Sequence, residues 1–186
     1  GKKAVREYPN NPNSYFCLAE AYASTGQIDK AIENLKKTSE YDSNDKDLMY
    51  IYNWLGAEYE KKGDYSKALF YDKKSINLAE KFRNIHGEIV YLISIAAIFR
   101  DEGDYSKALE YCKKALELDN DKWKRGTIYN NIASIYSDMH NYKKAIEYLK
   151  KAINAAEEHG HYLGSGETML NLGYVYITIK DFKDAK

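Results

Sequence analysis

The side chains best suited to proton transfer or metal binding near neutral pH are four histidines, His86, His140, His159 and His161. Only His159-Gly160-His161 is clustered. Zinc sites want three or four ligands, so this pair reads as two solvated imidazoles in a surface turn rather than as a metal centre. Cys17 and Cys112 are too few for a disulfide framework, and both read as small packed hydrophobes. No phosphate-loop, GxGxxG, CxxC or HExxH pattern occurs. An active site needs a nucleophile with a base, paired carboxylates in a cleft, metal ligands or a phosphate cradle. None emerges, and the expectation is a chain that performs no catalysis and holds no cofactor or metal.

Two residue types are abundant enough to suggest a surface function. Tyrosine supplies 19 of the 26 aromatic residues, which would suit base stacking or sugar binding. Yet most tyrosines recur at fixed positions, Tyr22, Tyr59, Tyr136 and Tyr176 in one column and Tyr65, Tyr105 and Tyr142 in another, as core residues do. Lysine pairs at 2–3, 36–37, 73–74, 113–114 and 150–151 would align into a ladder able to dock an acidic partner or a membrane surface. They are interleaved with Glu33, Glu40, Glu110, Glu117 and Glu147, so a solvated helix face of cancelling charges is the reading. The whole chain balances 28 Lys+Arg against 28 Asp+Glu. That removes the electrostatic footprint of a nucleic-acid binder.

The elements that carry these residues repeat. Gly63-Asp64-Tyr65-Ser66-Lys67-Ala68-Leu69 recurs unchanged from Gly103 to Leu109, with looser copies beginning at Gly26, His140 and Lys180. The alanines at 31, 68, 108, 145 and 185 are spaced by 37, 40, 37 and 40 residues. Upstream of each copy lies a second series: Tyr15, Leu18, Ala19, Tyr22; Tyr52, Leu55, Gly56, Tyr59; Leu92, Ile95, Ala96, Phe99; Tyr129, Ile132, Ala133, Tyr136; and Met169, Leu172, Gly173, Tyr176. Offsets of three, four and seven place each set on one helix face, and the small residue inside it lets a neighbouring backbone approach. Gly and Pro total only 13 residues, too few to punctuate many short strands. The fold class expected is all-α.

This pattern resembles the tetratricopeptide repeat family across nearly the whole chain. The departures are specific: the turn Gly becomes His140 and Lys180, and the second-helix aromatic becomes Leu35, Asp72, Cys112 and Leu149. The resemblance implies a right-handed superhelical solenoid of antiparallel helix pairs. Residues 1–11 would end a preceding repeat, with repeats at 12–45, 46–85, 86–122 and 123–162 and an incomplete one at 163–186. The fifth copy would be one turn into its second helix at Lys186, and both ends read as cuts inside a longer protein. Spacings above the family's usual ~34 residues imply longer helices or connections, the longest connections expected at residues 81–87 and 158–164. Elongated units with Asn in the first helix look similar to kinesin light chains, cell-polarity adaptors and bacterial peptide-sensing regulators.

In this family the first helices line a concave face. The residues not used in packing then face it: Phe16 and Glu20; Asn53 and Glu60; Ile93 and Arg100; Asn130, Ser134 and Ser137; Leu170, Tyr174 and Ile177, with Asn131 and Asn171 beside the stripe. An Asn amide donates and accepts at once and can hold a peptide backbone with little regard to its sequence. Chaperone-binding members grip a carboxylate with Lys and Asn pairs, but Arg100 is the only cation in this stripe, so such a clamp is disfavoured. The expected partner is a protein or peptide segment of mixed apolar and polar character, with self-association through the repeat ends as a further route. No nucleic acid or membrane is implied. No apolar run approaches the ~18 residues of a membrane span and the first residues lack a signal peptide's apolar stretch, which makes the cytoplasm the expected compartment. The alternative is a sensory or substrate-recruiting arm of a larger regulator or enzyme.

Overall fold

The repeated heptapeptide is a helix stop joined to a helix start. In a computed structural model describing residues 2–42, 44–120, 122, 124–158 and 162–184, Gly26, Gly63 and Gly103 take φ of 71, 77 and 80°, the left-handed region that a Cβ disfavours. His140 occupies the same place at φ 57° and carries the strain of a side chain there. The next residue caps the following helix: Asp64, Asp104 and Asn141 accept from the backbone N–H of Lys67, Lys107 and Lys144 at 3.2, 3.1 and 3.3 Å. The motif lysine then reaches back over an aromatic ring of the preceding helix. Lys30, Lys67, Lys107 and Lys144 lie 5.4, 5.3, 5.0 and 4.8 Å from the ring centroids of Tyr22, Tyr59, Phe99 and Tyr136.

Among the described residues this yields helices and no strand: α1 (Lys2–Glu7), α2 (Pro12–Ser24), α3 (Ile28–Tyr41), α4 (Asp45–Lys61), α5 (Tyr65–Lys81), α6 (Ile85–Asp101), α7 (Tyr105–Leu118), α8 (Arg125–Asp138), α9 (Tyr142–Glu158) and α10 (Tyr162–Asp184). They fall into two compact units, residues 1–94 and 95–186. In the first, α2 pairs with α3 and α4 with α5. In the second, α8 pairs with α9, which also packs on α10. The small residues Ala19, Gly56, Ala96 and Ala133 are buried as expected, whereas Gly173 of α10 is exposed. Leu149 and Val175 close over Ala133 and Ala145.

Four expectations are corrected. The long connections at 81–87 and 158–164 do not form: α6 begins at Ile85 and α10 at Tyr162. The alternating spacing resides in the second helices, 14 residues in α3 and α7 but 17 in α5 and α9. In α5 the added turn carries Ala79, which packs with Met49 and Tyr91. Secondly, no turn interrupts the copy at Lys180: α10 runs on to Asp184. Thirdly, the aromatic column of the second helices lies one position earlier than expected. Tyr71, Tyr111 and Tyr148 stack on Tyr59, Phe99 and Tyr136 at 5.6, 5.4 and 5.6 Å between centroids. Lastly, Cys17 is exposed while Cys112 is buried. Position 17 lies two residues from both buried Tyr15 and Ala19, on the opposite side of α2.

The lysine pairs lie on a solvated face, and the second lysine of each pair engages side chains of its own repeat. Lys37, Lys74, Lys114 and Lys151 place their ammonium groups 5.8, 4.8, 4.9 and 4.6 Å from the rings of Tyr15, Tyr52, Tyr111 and Tyr148. Three of them also bridge carboxylates one turn back, at Glu33, Glu110 and Glu147. Tyr176, grouped with the core tyrosines in the sequence, is 49% exposed.

Candidate functional site

A pocket of about 320 Å³ opens in residues 95–186 where the C-terminal ends of α6 and α8 meet the middle of α10. Arg100 and Asp101 come from α6, Ser134, Ser137 and Asp138 from α8, and Asn171 and Tyr174 from α10. Ala133, Leu149 and Val175 supply apolar lining. Arg100, Ser134, Asn171 and Tyr174 are thus four expected site residues brought to one place. The helical spacing explains it: positions 134 and 137, and 171 and 174, lie three apart and share a face.

The polar groups of this pocket are already partly engaged. Arg100 donates from Nη2 and Nε to Asp101 Oδ1 at 2.8 and 3.1 Å, and its Nε lies 3.5 Å from Asp138 Oδ2. One cation therefore faces two carboxylates, which leaves no net positive field for a ligand carboxylate. Asn171 Nδ2 donates to Asn130 Oδ1 at 3.1 Å, joining α10 to α8. The Ser134 hydroxyl donates to its own helix at Asn130 O, 3.1 Å away. Asn131 turns to its own helix as well, donating to Thr127 O at 3.0 Å. Beyond the pocket, α10 presents Leu170 at 75% and Tyr174 at 68% exposure, in line with Ile177.

In residues 1–94 the expected site residues do not surround one pocket. Phe16 packs its ring 5.2 Å from that of Trp54, Glu20 is exposed, and Glu60 and Ile93 are half-buried. Asn53 turns inward, with Nδ2 3.4 Å from Asp72 Oδ1. Asp72 is 1% exposed, and burial pushes its carboxyl up to about 7, with Glu60 adding repulsion and the Asn53 bond opposing the shift. Gly56 makes the room: a Cβ there would overlap Asp72 Oδ1 and sit 2.9 Å from its Cγ. Asp72 departs from the repeat pattern in the sequence, and only its packing against Asn53 and Gly56 suggests a role. His159 and His161 lie outside the described residues.

The model of the tetratricopeptide repeat matches residues 47–121 and 124–186, and a second model of the same repeat matches residues 1–33. The chain belongs to the tetratricopeptide repeat family. Solved structures of such repeats superpose on it. The tetratricopeptide repeat sensor protein of the signal-transduction ATPase class with numerous domains, from Pyrococcus horikoshii, has a TM-score of 0.75 at 25% identity over 98% of this chain and 29% of its own. A Rap protein complexed with Competence and Sporulation Factor gives 0.76 at 18% identity, over 92% of this chain and 50% of that one. A kinesin light chain-like protein of Podospora anserina with nearly identical repeats gives 0.70 at 16%, over 96% and 92%. The chain spans under a third of the first of these and half of the second. No curated protein matches it by sequence. Among the described residues no helix is long and apolar enough to cross a membrane.

Proposed function

We propose that this repeat array is a protein–protein interaction module that holds an extended protein segment against its first-helix faces without performing chemistry on it. The carrying observation is the 320 Å³ pocket, where residues of α6, α8 and α10 meet around an apolar floor. A segment lying there would bury backbone groups that need partners, and the Asn130–Asn171 pair has donor and acceptor capacity beyond its mutual bond. Leu170 and Tyr174 offer apolar contact beside it. With Arg100 held by Asp101 and Asp138, the ligand side chain that suits this pocket is apolar with a polar flank rather than a carboxylate. Display of random peptides against the intact chain tests this: selected peptides should share an apolar anchor and lose affinity for an Asn130→Ala, Asn171→Ala double variant. Equal binding by the double variant would remove the pocket from the account.

The likeness to a repeat sensor in a multidomain ATPase, at 25% identity over nearly the whole of this chain, favours a second reading in which the module is the sensory arm of a larger regulator. The full-length coding sequence tests it, because an effector segment beyond either end supports the arm and its absence supports a free-standing scaffold.

A further inference from the structure

Among the described residues no cation pairs with Asp72, which is buried in the packing of residues 1–94. Its Oδ1 receives Asn53 Nδ2 from α4, and its Oδ2 is buried with no hydrogen-bond partner. The titratable groups that bear on it are Glu60 from α4 and Tyr91 from α6, and neither supplies positive charge. Tyr91 is itself 2% exposed, with a hydroxyl that is also buried and unpartnered. The lysines adjoining Asp72 on α5 do not compensate. Lys73 is exposed, and Lys74 lies over the rings of Tyr52, Phe70 and Tyr71. Lys36 of α3 and Lys67 of α5 sit over the ring of Tyr59. A buried polar oxygen left unpaired is costly, and a proton on the carboxyl is the simplest relief that a cation-free site allows.

The carboxyl can bond to Asn53 in two ways. Ionised, it only accepts, so the Asn53 amide must turn Nδ2 inward and leave Oδ1 as its open end. Protonated, it gains an O–H donor beside the oxygen that still accepts, and turning the amide over lets Asn53 Oδ1 take that donor and leaves Nδ2 open. Gly56 leaves room for either state, because a Cβ at that position would overlap the carboxyl.

We propose that Asp72 is a proton-dependent positioning residue for Asn53, setting whether this half-buried first-helix amide presents an acceptor or a donor to a bound segment. The last clause rests on the segment-binding reading; the coupling of the two side chains does not. Gain and loss of one proton is the whole of the chemistry, and the change falls near neutral pH, where burial has moved the carboxyl.

The test is NMR titration of the intact chain from pH 4 to 9 without ligand, following the Asp72 carboxyl carbon and the Asn53 side-chain amide. Both signals should move together, with a shared midpoint near 7. Asp72→Asn should flatten the Asn53 profile while the helical signal is kept. Asn53→Ala should move the Asp72 midpoint further up, since the bond it removes holds the carboxylate form. An Asp72 midpoint below about 5, or an Asn53 amide that ignores the carboxyl transition, overturns the proposal. Absence of any bound peptide would count against the binding reading and leave this coupling intact.

Discussion

Replacing Asp72 with Asn removes a charge while keeping the shape, and the structure sets the size of the effect. Burial raises the carboxyl from 3.8 to about 7. A difference of about 3 units is worth about 4 kcal/mol at 1.36 kcal/mol per unit. The sign follows from proton uptake: the folded chain binds the proton more tightly than the unfolded chain does, so between about pH 4 and 7 folding is favoured by acid. Stability from this group is therefore full below about pH 4, falls through the window up to about 7, and levels off above it. From pH 5 to 8 the parent should lose about 3 kcal/mol relative to Asp72→Asn. For a chain of this size that is a relative shift of about 6–12 °C in thermal midpoint. Urea or thermal melts of both proteins at pH 5, 6, 7 and 8 measure it, and histidines and surface carboxylates common to both cancel in the difference. Parallel pH profiles for parent and variant would refute the buried, unpaired carboxylate.

Four further outcomes follow from the packing. Gly56→Ala should destabilise by about 1–3 kcal/mol, because the new Cβ overlaps the Asp72 carboxyl, and the cost should shrink in an Asp72→Ala background, read as a coupling in a double-mutant cycle. Ala133→Leu should cost about 1–3 kcal/mol by overpacking the cluster that holds Leu149 and Val175, while Lys113→Ala should leave the melting curve almost unchanged. A thiol reagent at pH 8 should modify exposed Cys17 within minutes and spare Cys112 until the chain unfolds, since burial raises the Cys112 thiol to about 12. Lys67→Met should lower the urea midpoint slightly, as it loses both the ring of Tyr59 and the carboxylate of Asp64.

The repeat was legible in the sequence because its physics is local. A glycine at φ > 0, a capping Asp and a small residue at the helix crossing announce themselves at fixed spacing, and α2 to α9 follow them. What was not legible depends on partners across the hairpin. The stacked column at Tyr71, Tyr111 and Tyr148 is one residue from the position the family pattern suggests, and only the rings of Tyr59, Phe99 and Tyr136 fix it. The extra residues of the long repeats could lengthen a loop or a helix equally well by count, and the packing of Ala79 with Met49 and Tyr91 accompanies the longer helix. In the site, helical register nominated Arg100, Ser134, Asn171 and Tyr174, but Asn53 and Asn131 turn to Asp72 and Thr127 while Asn130 meets Asn171. Such bonds carry no sequence period.

The proposed function puts a partner segment on the first-helix face, not on the lysine-rich second-helix face. Isothermal titration of a display-selected peptide measures it most directly, comparing the parent with Asn130→Ala/Asn171→Ala and with Lys113→Glu/Lys114→Glu at physiological salt. At least a ~10-fold loss, about 1.4 kcal/mol, is expected for the asparagine pair at an unchanged thermal midpoint, and nearly full affinity for the lysine pair. Binding that survives the asparagine change and is lost on the lysine change would contradict it and move the site to the opposite face.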